Sequence, residues 1–156
     1  MKKQGAIFQT TSDAEIIIQL ITYSKLSELY KAISDALSKI KGAYSLLLMT
    51  PQELIGIRDP YGFRPLCIGK LENAYILASE TCAFDLVGAK YFRDIESNEM
   101  VVINRKGLKS YKAIPFYQYK LFTERNFLPN KEAQCIFEHI YFAWPDSKYL
   151  VKVFMK

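Results

Sequence analysis

The chain has 156 residues, of which 50% are hydrophobic, 24% are charged and 14% are aromatic, with a formal net charge of +5. The length suits one domain with a buried core, and the composition excludes disordered, collagen-like and low-complexity chains. Apolar runs such as Leu46–Met49 are far shorter than the ~20 residues of a membrane helix, and no charged-then-apolar leader opens the sequence. We therefore expect a cytoplasmic globular protein.

The distribution of the basic residues and the spacing of the cysteines indicate which kinds of site are not expected. Lys and Arg are dispersed along the chain, which favours a solvated surface over a nucleic-acid site. Cys67, Cys82 and Cys135 are odd in number and lack C-x-x-C spacing, so a disulfide framework or a zinc site is not expected. His139 is the only histidine, and no His-rich metal site can form.

The first 42 residues predict a short strand and two helices. A strand over 5–10 is followed by a helix whose start has the S-x-x-E spacing of a capping box, formed by Ser12 and Glu15. Asp13 then lies in the first turn, where the helix dipole favours a carboxylate. Apolar residues at three-four spacing predict a second helix from about Lys25 to Lys41, which Gly42 ends.

From residue 43 onward the pattern changes to short apolar segments separated by turns, which indicates an antiparallel sheet. A short helix, capped by Thr81 and stopped by Gly88, interrupts the strands, and a long surface loop is predicted over 113–134. Two helices followed by a sheet define an α+β fold. The predicted strands are Ala43–Thr50, Glu53–Arg58, Leu66–Lys70, Ala74–Ser79, Glu99–Asn104, Leu108–Lys112 and Cys135–Ala143.

Three clusters have residue types that could carry chemistry. Residues 11–13 could bind a zwitterionic ligand, with Asp13 accepting from an ammonium group, or could simply cap a helix. Residues 58–66 form a proline-containing turn whose two arginines could pair with Asp59, and a structural role is favoured. In residues 79–85 the Cys82 thiol could be activated by a helix N-terminus, although a small buried cysteine is favoured.

Four segments resemble motifs of the glutamine phosphoribosylpyrophosphate amidotransferase family. They are T-T-S-D-A-E, D-P-Y-G-F-R-P-L, A-S-E-T-C-A-F-D and C-I-F-E-H-I-Y-F-A-W-P-D-S, and they occur in the family's order between Gly5 and about Ser147. The resemblance implies a partial αββα sandwich of the Ntn-hydrolase (N-terminal-nucleophile hydrolase) glutaminase type. In the family this domain is joined to a phosphoribosyltransferase domain, and ammonia from glutamine converts phosphoribosylpyrophosphate into phosphoribosylamine, which opens purine synthesis.

The resemblance also implies roles for single residues. Asp13 matches the aspartate that holds the α-amino group of glutamine. Cys135 matches a ligand of the iron–sulfur cluster that some members carry, but the other ligands belong to the second domain, so no cluster is expected on this chain. The family uses Mg²⁺ with phosphoribosylpyrophosphate and is oligomeric, and this chain is expected to need no cofactor and to contact no nucleic acid or membrane.

Several family features are missing from the sequence. Position 1 is Met rather than the nucleophilic cysteine, no Asn-Gly pair provides an oxyanion hole, and the glutamine-carboxylate arginine and the phosphoribosylpyrophosphate loop are not found. Trp144 replaces an arginine of the family, and the tail over 148–156 matches nothing in it, which we interpret as a shifted reading frame. We expect a partial glutaminase domain over 1–147 that is inactive by itself.

Two other functions stay open at this point. The chain could be a non-catalytic binding module that complements a separately encoded half, or a basic nucleic-acid-binding domain. A sandwich cut through its sheets would expose strand edges and apolar faces, so we also expect self-association or poor solubility.

Overall fold

The computed structural model describes residues 8–115 and Phe137. The described residues fall into two compact units, 8–41 with 114–115 and 42–113 with 137. They contain three helices and seven strands, in an order that confirms the α+β prediction. In chain order these are α1 (Asp13–Thr22), α2 (Leu29–Ser38), β1 (Ser45–Met49), β2 (Glu53–Arg58), β3 (Cys67–Leu71), β4 (Ala74–Ala78), α3 (Cys82–Val87), β5 (Lys90–Asp94), β6 (Glu99–Asn104) and β7 (Gly107–Lys112).

Helices α1 and α2 form the first unit and pack on each other. Helix α2 begins four residues later than predicted, because the Ser24 hydroxyl accepts the Leu26 N–H and holds a turn that competes with helix. It also ends earlier, since the N–H groups of Lys39 and Ile40 bond three residues back instead of four. Its buried face carries Ile33, Ala36 and Leu37, as the apolar spacing predicts.

The second unit contains two antiparallel sheets. One has the strand order β1-β2-β6-β7 and the other β4-β3-β5. The sequence prediction missed β5, whose KYFRD segment has no turn signal of its own; it pairs with β3 across an irregularity between Ile68 and Gly69. Strands β6 and β7 join through the two-residue turn Arg105–Lys106, with Asn104 opposite Gly107.

A hydrophobic core joins the facing surfaces of the two sheets. The smaller sheet contributes Ile68 of β3 and Leu77 of β4, together with Leu66 just before β3. They pack with Val101 of the larger sheet and with Ile95, which follows β5. Alternate residues of β2 and β6 point to the opposite face and are also buried, which is why both strands are almost continuously apolar. The residues on that opposite face are Ile55, Ile57, Met100 and Val102.

Helix α3 covers the outer face of the smaller sheet. Phe84 is 1% exposed and packs with Cys67 and Ala89. Gly69 makes room for its ring, because a Cβ at that position would lie 2.7 Å from Phe84 Cδ1. The helix ends at Gly88 in the left-handed conformation (φ 70°), as the sequence predicted.

Three sequence predictions concern residues that the structure describes little or not at all. Residues 8–10 of the strand predicted over 5–10 are described and are not in a strand, so that prediction is wrong there, while 5–7 lie outside the described residues. The loop over 113–134 lies outside them except for 113–115. Phe137 is the one described position of Cys135–Ala143, and it is helical and 66% exposed, so the predicted buried strand is wrong at that residue. Over the described residues, no helix has the length and apolar character needed to cross a membrane.

Candidate functional site

The first candidate site is the N-terminus of α1. Ser12 is the N-cap in extended conformation, and its hydroxyl accepts the Ala14 N–H at 3.3 Å. The Glu15 N–H donates to the Ser12 carbonyl at 3.1 Å. The predicted cap at Ser12 is confirmed, since a side-chain oxygen satisfies one of the helix's free amide groups.

Glu15 closes this turn differently from the capping box that the sequence predicts. Its carboxylate accepts the Gln9 N–H at 2.7 Å, the Thr10 N–H at 2.8 Å and the Thr10 hydroxyl at 2.7 Å. Glu15 therefore reaches past Ser12 to Gln9 and Thr10. The bonds from Gln9 and Thr10 lower the pKa of Glu15, because they favour its charged form.

Asp13 lies in the first turn of α1 and is exposed. Within the described part of the chain its carboxylate has no hydrogen-bond partner, whereas Glu15 beside it is fully engaged. Among residues 8–115 and 137, nothing occupies the Asp13 oxygens, which could therefore accept a ligand. An ammonium group is the chemistry they would accept, by charge-assisted hydrogen bonds.

The second candidate is the turn over 59–65, and it is built around Asp59. Asp59 is completely buried, and its two carboxylate oxygens accept the N–H groups of Tyr61 (2.9 Å) and Arg64 (3.2 Å). Its own carbonyl accepts from Gly62 and from Asn98. The carboxylate fixes the turn and has no exposed surface to offer a ligand.

Arg58 secures the same turn from the other side. Its guanidinium donates to the carbonyls of Arg64 (2.9 Å), Ile95 (2.7 Å) and Gly62 (2.8 Å), and the residue is only 2% exposed. These bonds tie the turn to the segment that follows β5. The predicted structural role of this turn is confirmed. These three acceptors of the Arg58 guanidinium are backbone carbonyls, whereas the sequence suggested a pairing with the Asp59 side chain.

Position 62 of this turn requires glycine for two reasons. Its φ is +67°, and a Cβ there would lie 2.5 Å from the Ser97 hydroxyl oxygen and 3.3 Å from Arg58 Cζ. Both the backbone conformation and the close approach exclude a side chain. Tyr44 lies next to this cluster, and burial, reinforced by the charge of Asp59, raises the pKa of its phenol.

The third candidate contains two thiols with different surroundings. Cys67 is buried, its Sγ lies 3.1 Å from the Ala78 carbonyl, and burial raises the pKa of its thiol to about 12. Such a thiol is inert as a nucleophile. Cys82 is half-buried at the first position of α3, 3.6 Å from Glu80 Oε2, which corrects the prediction of a buried cysteine.

One polar cluster was not found from the sequence. Arg93 donates to both carboxylate oxygens of Glu99 at 2.9 and 2.7 Å, and the Ser110 hydroxyl and the Glu96 N–H donate to the same carboxylate. These residues lie on or beside three different strands, and no local spacing indicates that they meet. Burial acts to raise the pKa of Glu99, but the bonds from Arg93, Ser110 and Glu96 outweigh it and lower the pKa.

The part of the chain that the structure describes contains no cluster of metal ligands. Among positions 8–115 and 137, no group of three or more His, Cys, Asp or Glu side chains could hold a metal ion. Cys135, the iron–sulfur position of the resemblance, lies outside this part of the chain. The prediction that this chain needs no cofactor therefore stays a prediction.

Comparison with known proteins identifies the class to which this fold and helix start belong. Residues 1–85 match the family described as "Glutamine amidotransferase domain", and the chain belongs to that family.

Among its relatives, the amidophosphoribosyltransferase of Bacillus subtilis (strain 168) is 45% identical over 147 residues, and amidophosphoribosyltransferase 1, chloroplastic, of Arabidopsis thaliana is 42% identical over 148 residues. Each alignment covers 94% of this chain.

A solved structure extends the comparison to three dimensions. The glutamine phosphoribosylpyrophosphate amidotransferase of B. subtilis, complexed with ADP and GMP, matches with a TM-score of 0.80 and 44% identity over 94% of this chain. The fold is therefore that of the Ntn-hydrolase glutaminase domain, as the sequence resemblance implies. The match covers 29% of that structure, and the chain spans only about a quarter of the length of the curated relatives, 24% and 28%.

Proposed function

We propose that this chain is part of the glutamine-binding domain of an amidophosphoribosyltransferase, and that Asp13 binds the α-amino group of glutamine. The observation that carries the proposal is the exposed Asp13 carboxylate at a capped helix N-terminus, within the segment that matches the glutamine amidotransferase family. In the complete enzyme, glutamine-derived ammonia would displace pyrophosphate from phosphoribosylpyrophosphate to give phosphoribosylamine.

The local geometry supports Asp13 over its neighbours for this role. Glu15 is held by Gln9 and Thr10 and serves the turn itself. Ser12 is committed to the helix cap. Asp13 is the carboxylate of this cluster that can accept an ammonium group without breaking an existing bond.

A binding experiment tests the role of Asp13 directly. We expect L-glutamine to shift the backbone amide resonances of Asp13 and Ala14 in an NMR titration of the chain. N-acetyl-L-glutamine has the same side chain but no charged amino group, so it should leave these resonances unchanged. Equal shifts with both ligands would contradict recognition through the ammonium group.

We also propose that the 156 residues do not hydrolyse glutamine without further polypeptide. The described thiols support this, because Cys67 is buried with a raised pKa and no histidine lies within residues 8–115 to activate Cys82. An assay of glutamate release by the purified chain tests it. We expect the wild-type chain to release no more glutamate than a triple variant that carries Cys67→Ser, Cys82→Ser and Cys135→Ser. Glutamate release by the wild type that is lost in the triple variant would overturn the proposal.

The chain's partners and location belong to the same proposal. Because the chain spans about a quarter of its relatives, its natural partner would be the remaining amidophosphoribosyltransferase polypeptide, joined to it or separately encoded. The free thiols of Cys67 and Cys82 support a reducing compartment such as the cytoplasm. Fluorescence microscopy of a tagged chain tests the location, and co-purification with a co-expressed relative tests the partnership.

A further inference from the structure

The residues that precede α1 are joined to its first turn by a chain of hydrogen bonds. Glu15 Oε1 accepts the Gln9 N–H at 2.7 Å, and Glu15 Oε2 accepts both the Thr10 N–H at 2.8 Å and the Thr10 hydroxyl at 2.7 Å. The same Thr10 hydroxyl oxygen accepts the Ser12 N–H at 3.2 Å. The segment over 9–12 is therefore folded back onto the side chain of Glu15.

These bonds fix the backbone on both sides of Asp13. On the N-terminal side, the Ser12 N–H is held by Thr10, and the Ser12 hydroxyl accepts the Ala14 N–H at 3.3 Å. On the C-terminal side, the Glu15 N–H donates to the Ser12 carbonyl at 3.1 Å. None of these bonds uses the Asp13 carboxylate. Asp13 is thus held in place through its neighbours, while its oxygens stay out of the bonds that hold it.

We infer that Thr10 and Glu15 are positioning residues for the ammonium group that Asp13 accepts. Both act through Asp13, so the inference rests on the proposed glutamine site. A carboxylate at a fixed helix start binds more tightly than one on a fraying turn, because less conformational freedom is lost when the ligand binds. The charge of Glu15 strengthens the bonds that it accepts. The Thr10 hydroxyl links that carboxylate to Ser12, since it donates to one and accepts from the other.

Substitutions at position 10 test the inference without changing any charge. Thr10→Val keeps the branched shape of the side chain but removes the hydroxyl that links Glu15 to Ser12. Thr10→Ser keeps that hydroxyl. Thr22→Val is the matched control, because the Thr22 hydroxyl donates to the Ile18 carbonyl at 2.9 Å at the other end of α1 and the residue is also exposed.

The measurement is the Kd of the folded chain for L-glutamine, from an NMR titration at a temperature well below unfolding. A purely structural role of Thr10 would change the folded fraction but not this Kd. We expect Thr10→Val to bind roughly 3- to 10-fold more weakly than the wild type, and Thr10→Ser and Thr22→Val to bind as the wild type does. An unchanged Kd in Thr10→Val would overturn the inference and leave the Asp13 proposal intact. A wild type that does not respond to L-glutamine would overturn the glutamine site, and the inference with it.

Glu15→Asp provides a second test that also preserves charge. Its side chain is one methylene shorter, which withdraws the carboxylate from the Gln9 and Thr10 N–H groups. We expect a weaker Kd for L-glutamine by a similar factor, in a chain whose spectrum shows that it is folded. Wild-type affinity in a folded Glu15→Asp variant would contradict the positioning role.

Discussion

Two aspartates in family motifs have opposite environments in this molecule. Asp13 begins a helix, is exposed, and has no hydrogen-bond partner for its carboxylate within the part of the chain that the structure describes. Asp59 is completely buried and uses both carboxylate oxygens to bind backbone N–H groups of its own turn. Both occur in motifs that support the family resemblance, so motif membership alone does not distinguish ligand binding from structure. The two aspartates differ in whether their carboxylate oxygens already accept hydrogen bonds from the described residues.

Two glutamates differ in burial, although the carboxylates of both accept hydrogen bonds. Glu15, near Asp13, holds an exposed turn by three bonds from Gln9 and Thr10. Glu99 is 4% exposed and joins Arg93, Ser110 and the Glu96 N–H between strands. The polar groups of the turn and strand region stabilise the second unit, while those at the helix start leave one carboxylate available.

The largest effect is expected from Asp59→Ala. The substitution removes the acceptor of the Tyr61 and Arg64 N–H groups in a site without solvent, so it should lower the free energy of unfolding by roughly 3–5 kcal/mol. Chemical denaturation of the chain measures it, with Asp13→Ala as the exposed control. A loss below about 1 kcal/mol would show that the buried carboxylate does not hold the turn.

Gly62→Ala should have the next largest effect. Alanine must adopt a left-handed φ and its Cβ meets the Ser97 hydroxyl, so we expect a loss of about 2–3 kcal/mol. Gly88→Ala is the matched control, because Gly88 has φ +70° but nothing within 4 Å of a Cβ. The difference between the two variants isolates the contact. Ser97→Ala added to Gly62→Ala should recover part of the loss, and equal stabilities of the two single variants would contradict the close approach.

The pH dependence of stability distinguishes the two glutamates. A carboxylate with a lowered pKa in the folded state stabilises the protein above its ordinary value of 4.5, and that stability is lost as pH falls through the lowered value. Glu99→Gln should therefore reduce stability at neutral pH and flatten its decline in acid. Glu15→Gln should do so less, because Glu15 is only half-buried whereas Glu99 is 4% exposed. Melting temperatures between neutral pH and pH about 3 measure both, and a steeper decline for Glu15 would reverse the comparison.

The smallest effect on stability is expected from Asp13→Asn. The substitution removes a favourable charge from a helix start, which is worth about 0.3–1 kcal/mol. Asp85→Asn, in the first turn of α3, is a control of the same type. Thermal unfolding of both variants checks the prediction. A loss for Asp13→Asn as large as that for Asp59→Ala would assign Asp13 a structural role.

Local patterns predicted most of the secondary structure, and their failures have physical causes. The cap at Ser12 and the stop at Gly88 were found because each acts through its immediate neighbours. Helix α2 was predicted too long because the Ser24 hydroxyl competes for backbone bonds. The ion pair of Arg93 and Glu99 could not be predicted, since it joins strands β5 and β6 of two different sheets.

The candidate site was predicted in part. The helix start placed Asp13 beside a ligand-accessible N-terminus, and the structure shows its exposure. The turn around Asp59 was favoured as structural from its proline and glycine. The acceptors of the Arg58 guanidinium were not predictable, because one of them, the Ile95 carbonyl, lies 37 residues away in sequence.

The most direct test of the account is an NMR titration with L-glutamine of the wild type, Asp13→Asn and Asp85→Asn. We expect amide shifts at Ala14 and its neighbours in the wild type and in Asp85→Asn. In Asp13→Asn we expect these shifts to be lost while the folded spectrum is preserved. An unchanged response in a folded Asp13→Asn variant would contradict the assignment of Asp13 as the residue that binds the amino group of glutamine.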